Sequence, residues 1–462
     1  MASTALYRTI WRWHFYAGLF VMPFILILAT TGALYLFKPQ VDRWEERDWR
    51  GLATAGAVGP EAQRDAALAA FPGARFHSYR LPEAEGDAAM IHLALAGGGS
   101  MRDVFVSPQG KVLGSLDPEA RIMAFDKRVH GQLLLGPRGS WLVELAASWA
   151  IVMLATGLYL WWPRQCRFAG VLWPRLGAGG RQGLRDLHAV TGFWVAGLAL
   201  VLLLSGLPWA AVWGSAFKAA RQEFGLVQGA QDWTIGGRSP VGDEHAAHDH
   251  GAMVAMAGDA MPSMPSMPPG SHFHPIAPVR LGEIVARAKS ERLAFPVSVL
   301  PPGASPDWTV RSDTQNRPLR VTLTYDARTG AVTSRQTFSD KHPIDRVLGY
   351  SIAWHEGQLF SWINQLIGLA TVLALVALAV TGFLMWRRRK PSGRLGAPPP
   401  PDERRRQMGV LVIFGVFLLL LPLFAASVAA LVLIEKLVFP ALPEAARWLG
   451  VPPKGKGATP QA

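Results

Sequence analysis

The chain has 462 residues, half of them hydrophobic and only 17% charged, with a formal net charge of +13. A soluble globular domain does not carry apolar runs as long as those found here, and the positive excess gathers beside those runs, so no nucleic-acid partner is needed to explain it. The single cysteine, Cys166, excludes an internal disulfide framework.

Residues 1–37 hold a first apolar run, placed after Arg8 and Arg12. It is too long for a secretory leader and has no small-residue cleavage site, so it reads as a membrane helix. Residues 38–140 read as an external α+β domain with an interfacial segment. EAQRDAALAAFP has a helical pattern, and strand-like runs follow near 76–81, 89–95, 102–106 and 111–114. A second span at 141–162 contains a carboxylate, Glu144, and an arginine-rich loop follows at 163–187.

A third span, 188–213, opens a second copy of the same order. Residues 214–357 carry a His- and Met-rich insert at about 243–275, then helical LGEIVARAKSERL and strand-like runs near 295–300, 307–311, 319–325 and 331–336. A fourth span at 358–386, a basic loop at 387–407, a fifth span at 408–435 and a tail at 436–462 complete the chain. Each span is long enough, at about 1.5 Å per residue, to cross a hydrocarbon core of roughly 30 Å. The expected fold class is a polytopic α-helical membrane protein with five transmembrane helices, a duplicated two-helix module and two external α+β domains. Lysine and arginine in the short loops put the N-terminus and the loops after spans two and four on the cytoplasmic side, and the long segments and tail outside.

Four histidines fall at matched places in the two copies. His14 and His188 are each followed by glycine four residues on, at Gly18 and Gly192, and eighteen residues on, at Gly32 and Gly206. His130 and His355 each precede a Thr-Gly pair, Thr156-Gly157 and Thr381-Gly382, by twenty-six residues and a tryptophan, Trp161 and Trp386, by thirty-one. Two copies entering the membrane in the same direction imply a pseudo-twofold axis along its normal. That axis turns His14 onto His188 and His130 onto His355, which is the arrangement of two bis-imidazole sites, one near each membrane face. Haem iron accepts two axial imidazoles, so two haems are expected, with Gly18, Gly32, Gly192 and Gly206 as the residues giving the flat ring room. Arg12, Lys127, Arg128 and Arg185 lie close by in sequence and are candidates for pairing haem propionates. Trp161, Trp162 and Trp386 are expected in an interfacial belt.

A second chemical signal lies in the insert. His245, His248, His250, His272 and His274 are mixed with Met253, Met256, Met261, Met264 and Met267, and thioether with imidazole suits soft Cu(I). A linker of biased composition is the plainer reading of the same residues. GAGGRQG at 177–183 reads as a connector, because no strand precedes it. No HExxH motif or nucleophile-and-base grouping supports hydrolysis.

RWHFYAGLFVMPFILILATTGALY, VHGQLLLG with TGLYLWWPR, RDLHAVTGFW, and WHEGQLF with TGFLMWRRR together resemble the PepSY-associated transmembrane helix family, over residues from about 7 to 391. That family includes FoxB-type reductases of iron siderophores in the bacterial inner membrane. The resemblance implies external PepSY-like domains, b-type haems ligated by His14, His130, His188 and His355, and one-electron reduction of a ferric chelate or siderophore on the periplasmic side. Quinol or a cytoplasmic donor would supply the electrons. Two other functions fit the same residues: a copper reductase or copper-handling protein fed by the insert, and a non-redox scaffold whose external domains bind or inhibit a periplasmic peptidase.

Overall fold

The computed structural model describes residues 4–97, 100–163, 169–175, 177, 179–226, 279–303, 305–400 and 408–451. Cys166, the His/Met insert with all ten of its candidate metal ligands, and residues 452–462 lie outside them. The first half runs α1 (Thr4–Tyr35), α2 (Lys38–Glu45), α3 (Pro60–Ala70), β1 (Arg75–Arg80), β2 (Ala89–Ala94), β3 (Met101–Val106), β4 (Val112–Leu116), α4 (Ile122–Gln132) and α5 (Pro137–Trp161). The second half runs α6 (Gly180–Gly206), α7 (Ala211–Glu223), α8 (Leu281–Ser290), β5 (Val297–Leu300), β6 (Trp308–Ser312), β7 (Val321–Tyr325), β8 (Val332–Thr337), α9 (Pro343–His355) and α10 (Trp362–Arg389). The strands form within about two residues of the runs their alternation marks.

Helices α1, α5, α6 and α10 are long and apolar enough to cross a membrane. They form a ring in which α1 touches α5 and α10, and α6 touches the same two, so α1 and α6 stand diagonally opposite. Short α4 and α9 pack on the bundle at the end that carries the sheet. The turn between α4 and α5 is tight: Leu133 and Leu134 take left-handed φ of 51° and 58°. A Cβ at Gly139 would lie 1.6 Å from the Gln132 carbonyl oxygen, so only glycine permits this approach. Glu144 is a cap within this packing. Its two oxygens accept from the backbone N–H groups of Val212 (2.8 Å) and Trp213 (3.0 Å) in the half-buried first turn of α7.

The two α+β regions outside the helix bundle do not form separate sheets. They fuse into one eight-stranded antiparallel sheet of order β4-β3-β2-β1-β5-β6-β7-β8, joined where Tyr79 pairs with Val299 and Arg80 with Ser298. Alternation divides the sheet's faces. Tyr79, Ile91, Leu93, Val104, Val299, Val310 and Leu323 turn outward and share one core with Ala67 of α3 and Leu281, Ile284 and Val285 of α8. Burying each such side chain contributes roughly 1.5–3 kcal/mol, so the joint core resists separation of the halves. The opposite, polar face carries Arg80, Asp103, Arg311, Thr322 and Thr324 over the bundle.

Three boundaries differ from expectation. The third span lies at Gly180–Trp209, eight residues earlier at its start, and ends at a 3-10 turn containing Pro208. The fifth span is broken: α11 (Met408–Leu420) and α12 (Pro422–Leu433) meet at 118°, because Pro422 lacks the N–H needed to continue the helix and starts a new one. After this elbow, α13 (Pro443–Leu449) lies beside the start of α1, with Gly450 O accepting from Arg12 (2.9 Å) and Trp448 O from Leu395 N (2.9 Å). The tail up to Val451 is therefore at the end of the bundle opposite the sheet, and the expected external placement of residues 436–462 is corrected for this part.

Candidate functional site

The site is built from four imidazoles and four hydroxyl-glycine pairs. His14 (α1) and His188 (α6) face each other across the diagonal of the bundle, with ring centres 6.5 Å apart and planes at 84°. Nearer the sheet, His130 (α4) and His355 (α9) have ring centres 6.3 Å apart and planes at 81°. The pairing anticipated from the repeat is thus the pairing in space.

Each ring is seated by a neighbouring helix in the same way. Nδ1 of His14 lies 3.1 Å from Thr156 Oγ1 on α5, that of His188 3.0 Å from Thr381 Oγ1 on α10, that of His130 2.9 Å from Thr31 Oγ1 on α1, and that of His355 2.9 Å from Ser205 Oγ on α6. The backbone carbonyl three residues before each hydroxyl is a second partner, at Met153, Leu378, Leu28 and Leu202. A carbonyl only accepts, so Nδ1 must carry the proton. The hydroxyls agree: each donates to its own helix backbone, as Thr156 does to Val152 O (2.9 Å) and Thr381 to Ala377 O (2.7 Å), leaving its lone pairs for the ring. With Nδ1 protonated, the lone pair of the neutral ring is on Nε2, which is how a second partner fixes a metal-binding histidine.

The glycine after each hydroxyl makes the space for the ring. A Cβ at Gly157 would lie 3.1 Å from His14 Cε1, one at Gly32 3.4 Å from His130 Cε1, one at Gly382 3.5 Å from His188 Cε1, and one at Gly206 3.6 Å from His355 Cε1. Gly32 and Gly206 were marked in the sequence as room for a flat ring; here they adjoin the imidazoles. Gly18 and Gly192 do something else, admitting Met153 Sδ (3.9 Å) and Leu378 Cδ2 (3.6 Å) of neighbouring helices. Gly157 and Gly382 were missed as site residues, although the shared interval from His130 and His355 was the signal that could have found them.

The two pairs differ in access. His130 and His355 line a cavity of about 1380 Å³ that runs from the apolar middle of the bundle up to the polar face of the sheet. Its upper wall is studded with ion pairs, among them Arg80–Glu46 (2.6 Å), Arg311–Asp313 (2.6 Å) and Arg128–Glu119 (2.9 Å). His14 and His188 are not among its lining residues. One turn before His130, Asp126 is buried with no hydrogen-bond partner for Oδ2 among the described residues, and burial raises its carboxyl to about 6. The residue four before His355 is Ser351.

The four expected cations are dispersed. Lys127 and Arg128 line the cavity beside His130, Arg128 paired with Glu119. Arg12 is taken up by the carbonyls of Pro398 and Gly450 and by the Tyr16 hydroxyl. Arg185 is exposed on α6 beside Asp186. Trp161 and Trp386 tie span ends to the following loops, donating to Val171 O (3.1 Å) and Leu395 O (2.8 Å), while Trp162 is exposed.

Apolar helices of spanning length, a capping antiparallel sheet and two stacked histidine pairs define a polytopic membrane protein made from two copies of one unit. The family model of the PepSY-associated TM region matches residues 11–389, a stretch that includes all four histidines and ends where α10 ends. The chain belongs to this family. No curated protein matches it.

Proposed function

We propose that the protein is a two-haem electron conduit that reduces a ferric chelate, such as an iron siderophore, on the sheet side of a bacterial inner membrane. The observation that carries this reading is the spacing of the two imidazole pairs, 6.5 Å and 6.3 Å between ring centres. A metal bridging two imidazoles through bonds of about 2 Å, with each ring nitrogen roughly 1 Å from its ring centre, gives about 6 Å. Among the described residues no group of three or more histidine, cysteine or acidic side chains is placed to hold a metal ion, so each pair offers a bare ion two ligands. A haem would bring four nitrogens of its own, and the two imidazoles of each pair would complete the coordination of its iron.

Bound haem would supply one-electron exchange between ferric and ferrous iron. The residues do the rest. The Thr, Ser and carbonyl acceptors hold Nδ1–H, orient the rings and raise their basicity. The apolar helices exclude water, and the cavity under the sheet receives the chelate next to the His130 and His355 pair. The basic loops after α5 and α10 support a cytoplasmic location for the His14 and His188 end, where quinol or a cytoplasmic reductant donates. Ferric iron accepts one electron, and the ferrous product is held less tightly by hard oxygen chelators.

The test is a visible spectrum of the detergent-purified, dithionite-reduced protein together with a haem assay. A b-type spectrum with two haems per chain is expected, oxidised on adding a ferric hydroxamate. Folded protein devoid of haem refutes the proposal.

A further inference from the structure

At the end of the bundle away from the sheet, two arginines stand on the packed helices α6 and α10, neither with a carboxylate partner among the described residues. Arg389, the last residue of α10, lies across two rings of α1, its guanidinium carbon 5.1 Å from the centre of Trp11 and 5.1 Å from that of Phe15. Trp11 and Phe15 flank His14 in the chain, three residues before it and one after, so the guanidinium lies within about a turn of the ligand along α1. One of its nitrogens donates to Gly396 O (2.8 Å), which fixes the arm. Arg181, on the first turn of α6 and seven residues before His188, is within electrostatic reach of Arg389.

Two like charges held together at the edge of an apolar bundle repel each other, and among the described residues neither has a carboxylate partner. The nearest acid on α6, Asp186, is committed to Arg175 through two hydrogen bonds of 2.6 Å and 3.1 Å. The positive end of the α6 dipole adds to the field. Such a site is stable when an anion enters it. Arg389 lies eight residues beyond Thr381, and Arg181 seven before His188, so at about 1.5 Å per residue both stand about 10–12 Å along their helices from the lower ligand pair. They are on the same side of that pair, where guanidinium arms could reach the propionates of a haem if one were bound there.

We infer that Arg389 and Arg181 form an anion clamp for the propionate carboxylates of a haem held between His14 and His188. This rests on the two-haem reading and adds to it which cations receive that haem. The planar fork of arginine matches a carboxylate with two parallel hydrogen bonds. Arg12, the nearer candidate in sequence, spends its two terminal nitrogens on the carbonyls of Pro398 and Gly450 and on the Tyr16 hydroxyl, whereas Arg389 gives one nitrogen to Gly396 O.

The experiment uses the full-length holoprotein and its Arg389→Gln, Arg181→Gln and Arg389→Lys variants, with spectroscopic redox titration and haem content as readouts. Iron loses one positive charge on reduction, so removing a neighbouring cation favours the ferric form. Each Gln variant is expected to move the midpoint of one haem, the one absent from His14→Ala, to a more negative potential, with the other haem unmoved. Arg389→Lys should recover part of that shift. Should Arg389→Gln not fold, the solvent-exposed Arg181→Gln carries the test. Midpoints that ignore both Gln substitutions, or a shift confined to the other haem, overturn the clamp while leaving two haems in place. If stripping anionic phospholipid from the wild type reproduces the shift and phosphatidylglycerol reverses it, the clamp holds a lipid phosphate and the propionate assignment is wrong. A wild-type protein with no haem overturns both readings together.

Discussion

The two histidine pairs are chemically alike and architecturally different. His14 and His188 stand on the spanning helices themselves, whereas His130 and His355 stand on short α4 and α9, between the sheet and the bundle. Only the second pair opens into the large cavity. On the two-haem proposal, this difference would let one ligand set serve two tasks. A pair fixed on long helices is positioned by the bundle and sealed from the chamber, suited to passing an electron on. A pair on short helices beneath a polar wall is suited to giving it away.

The largest effect should come from removing ligands. His14→Ala and His188→Ala should each lower the haem content from two to one by losing the same haem, and His130→Ala and His355→Ala by losing the other. In each case steady-state reduction of a ferric chelate should fall to background. After chemical reduction, protein retaining only the His130 and His355 haem should still be oxidised rapidly by the chelate, whereas protein retaining only the other should not. Equal oxidation rates in stopped-flow traces would erase the distinction between relay and outlet.

A smaller, graded effect is expected at the glycines facing the rings. Gly157→Ala puts a methyl 3.1 Å from His14 Cε1 and must displace the ring, while Gly206→Ala meets His355 Cε1 at an ordinary 3.6 Å. The first should shift the spectrum or loosen the lower haem. The second should leave the upper haem intact and gain up to about 1 kcal/mol of helix stability. A reversed order in haem retention would show that these glycines do not set ring clearance.

Smaller again is the loss of a hydroxyl. Thr381→Val leaves the Leu378 carbonyl to hold Nδ1–H of His188, so the lower haem should stay bound with its affinity weakened on the order of tenfold, the low end for such supporting groups. Titration with free haem measures it, and complete haem loss would mean the hydroxyl is indispensable.

The last prediction separates the two halves of the upper site. Because burial raises Asp126 to about 6, its folded form holds a proton that the unfolded chain has released, so stability declines as pH rises from about 4 through 6. Asp126→Asn should therefore stabilise the protein by on the order of 2 kcal/mol at pH 8 and have little effect at pH 4. Thermal melts at both pH values decide it. Ser351→Ala at the matching position should show no such pH dependence.

Much of this was legible in the chain. The intervals linking His14 to Gly32 and His130 to Gly157 read as duplication, and their cause is now physical: within each half, every spanning helix carries the seat for a histidine of another helix. Strand-like runs marked all eight strands, most plainly where one face is apolar, as in β7. Fusion of the sheets was not legible, since pairing of β1 with β5 leaves no local mark. The elbow at Pro422 was hidden by uniform hydropathy on both sides, although the proline itself was a usable sign. Arg389 was out of reach because it lies 375 positions from His14, and only packing on Trp11 and Phe15 brings it there.

At the seam of the sheet, Ser78-Tyr79 and Ser298-Val299 are equivalent positions in the two copies, and Tyr79 is paired with Val299 itself. A rotation axis through that pair exchanges the strands, as a closed, self-complementary contact between identical subunits requires. A single ancestral half could therefore have assembled with its own twin, completing both imidazole pairs without a second gene. Tethering the twins in one polypeptide then freed each side to diverge, as Asp126 and Ser351 have.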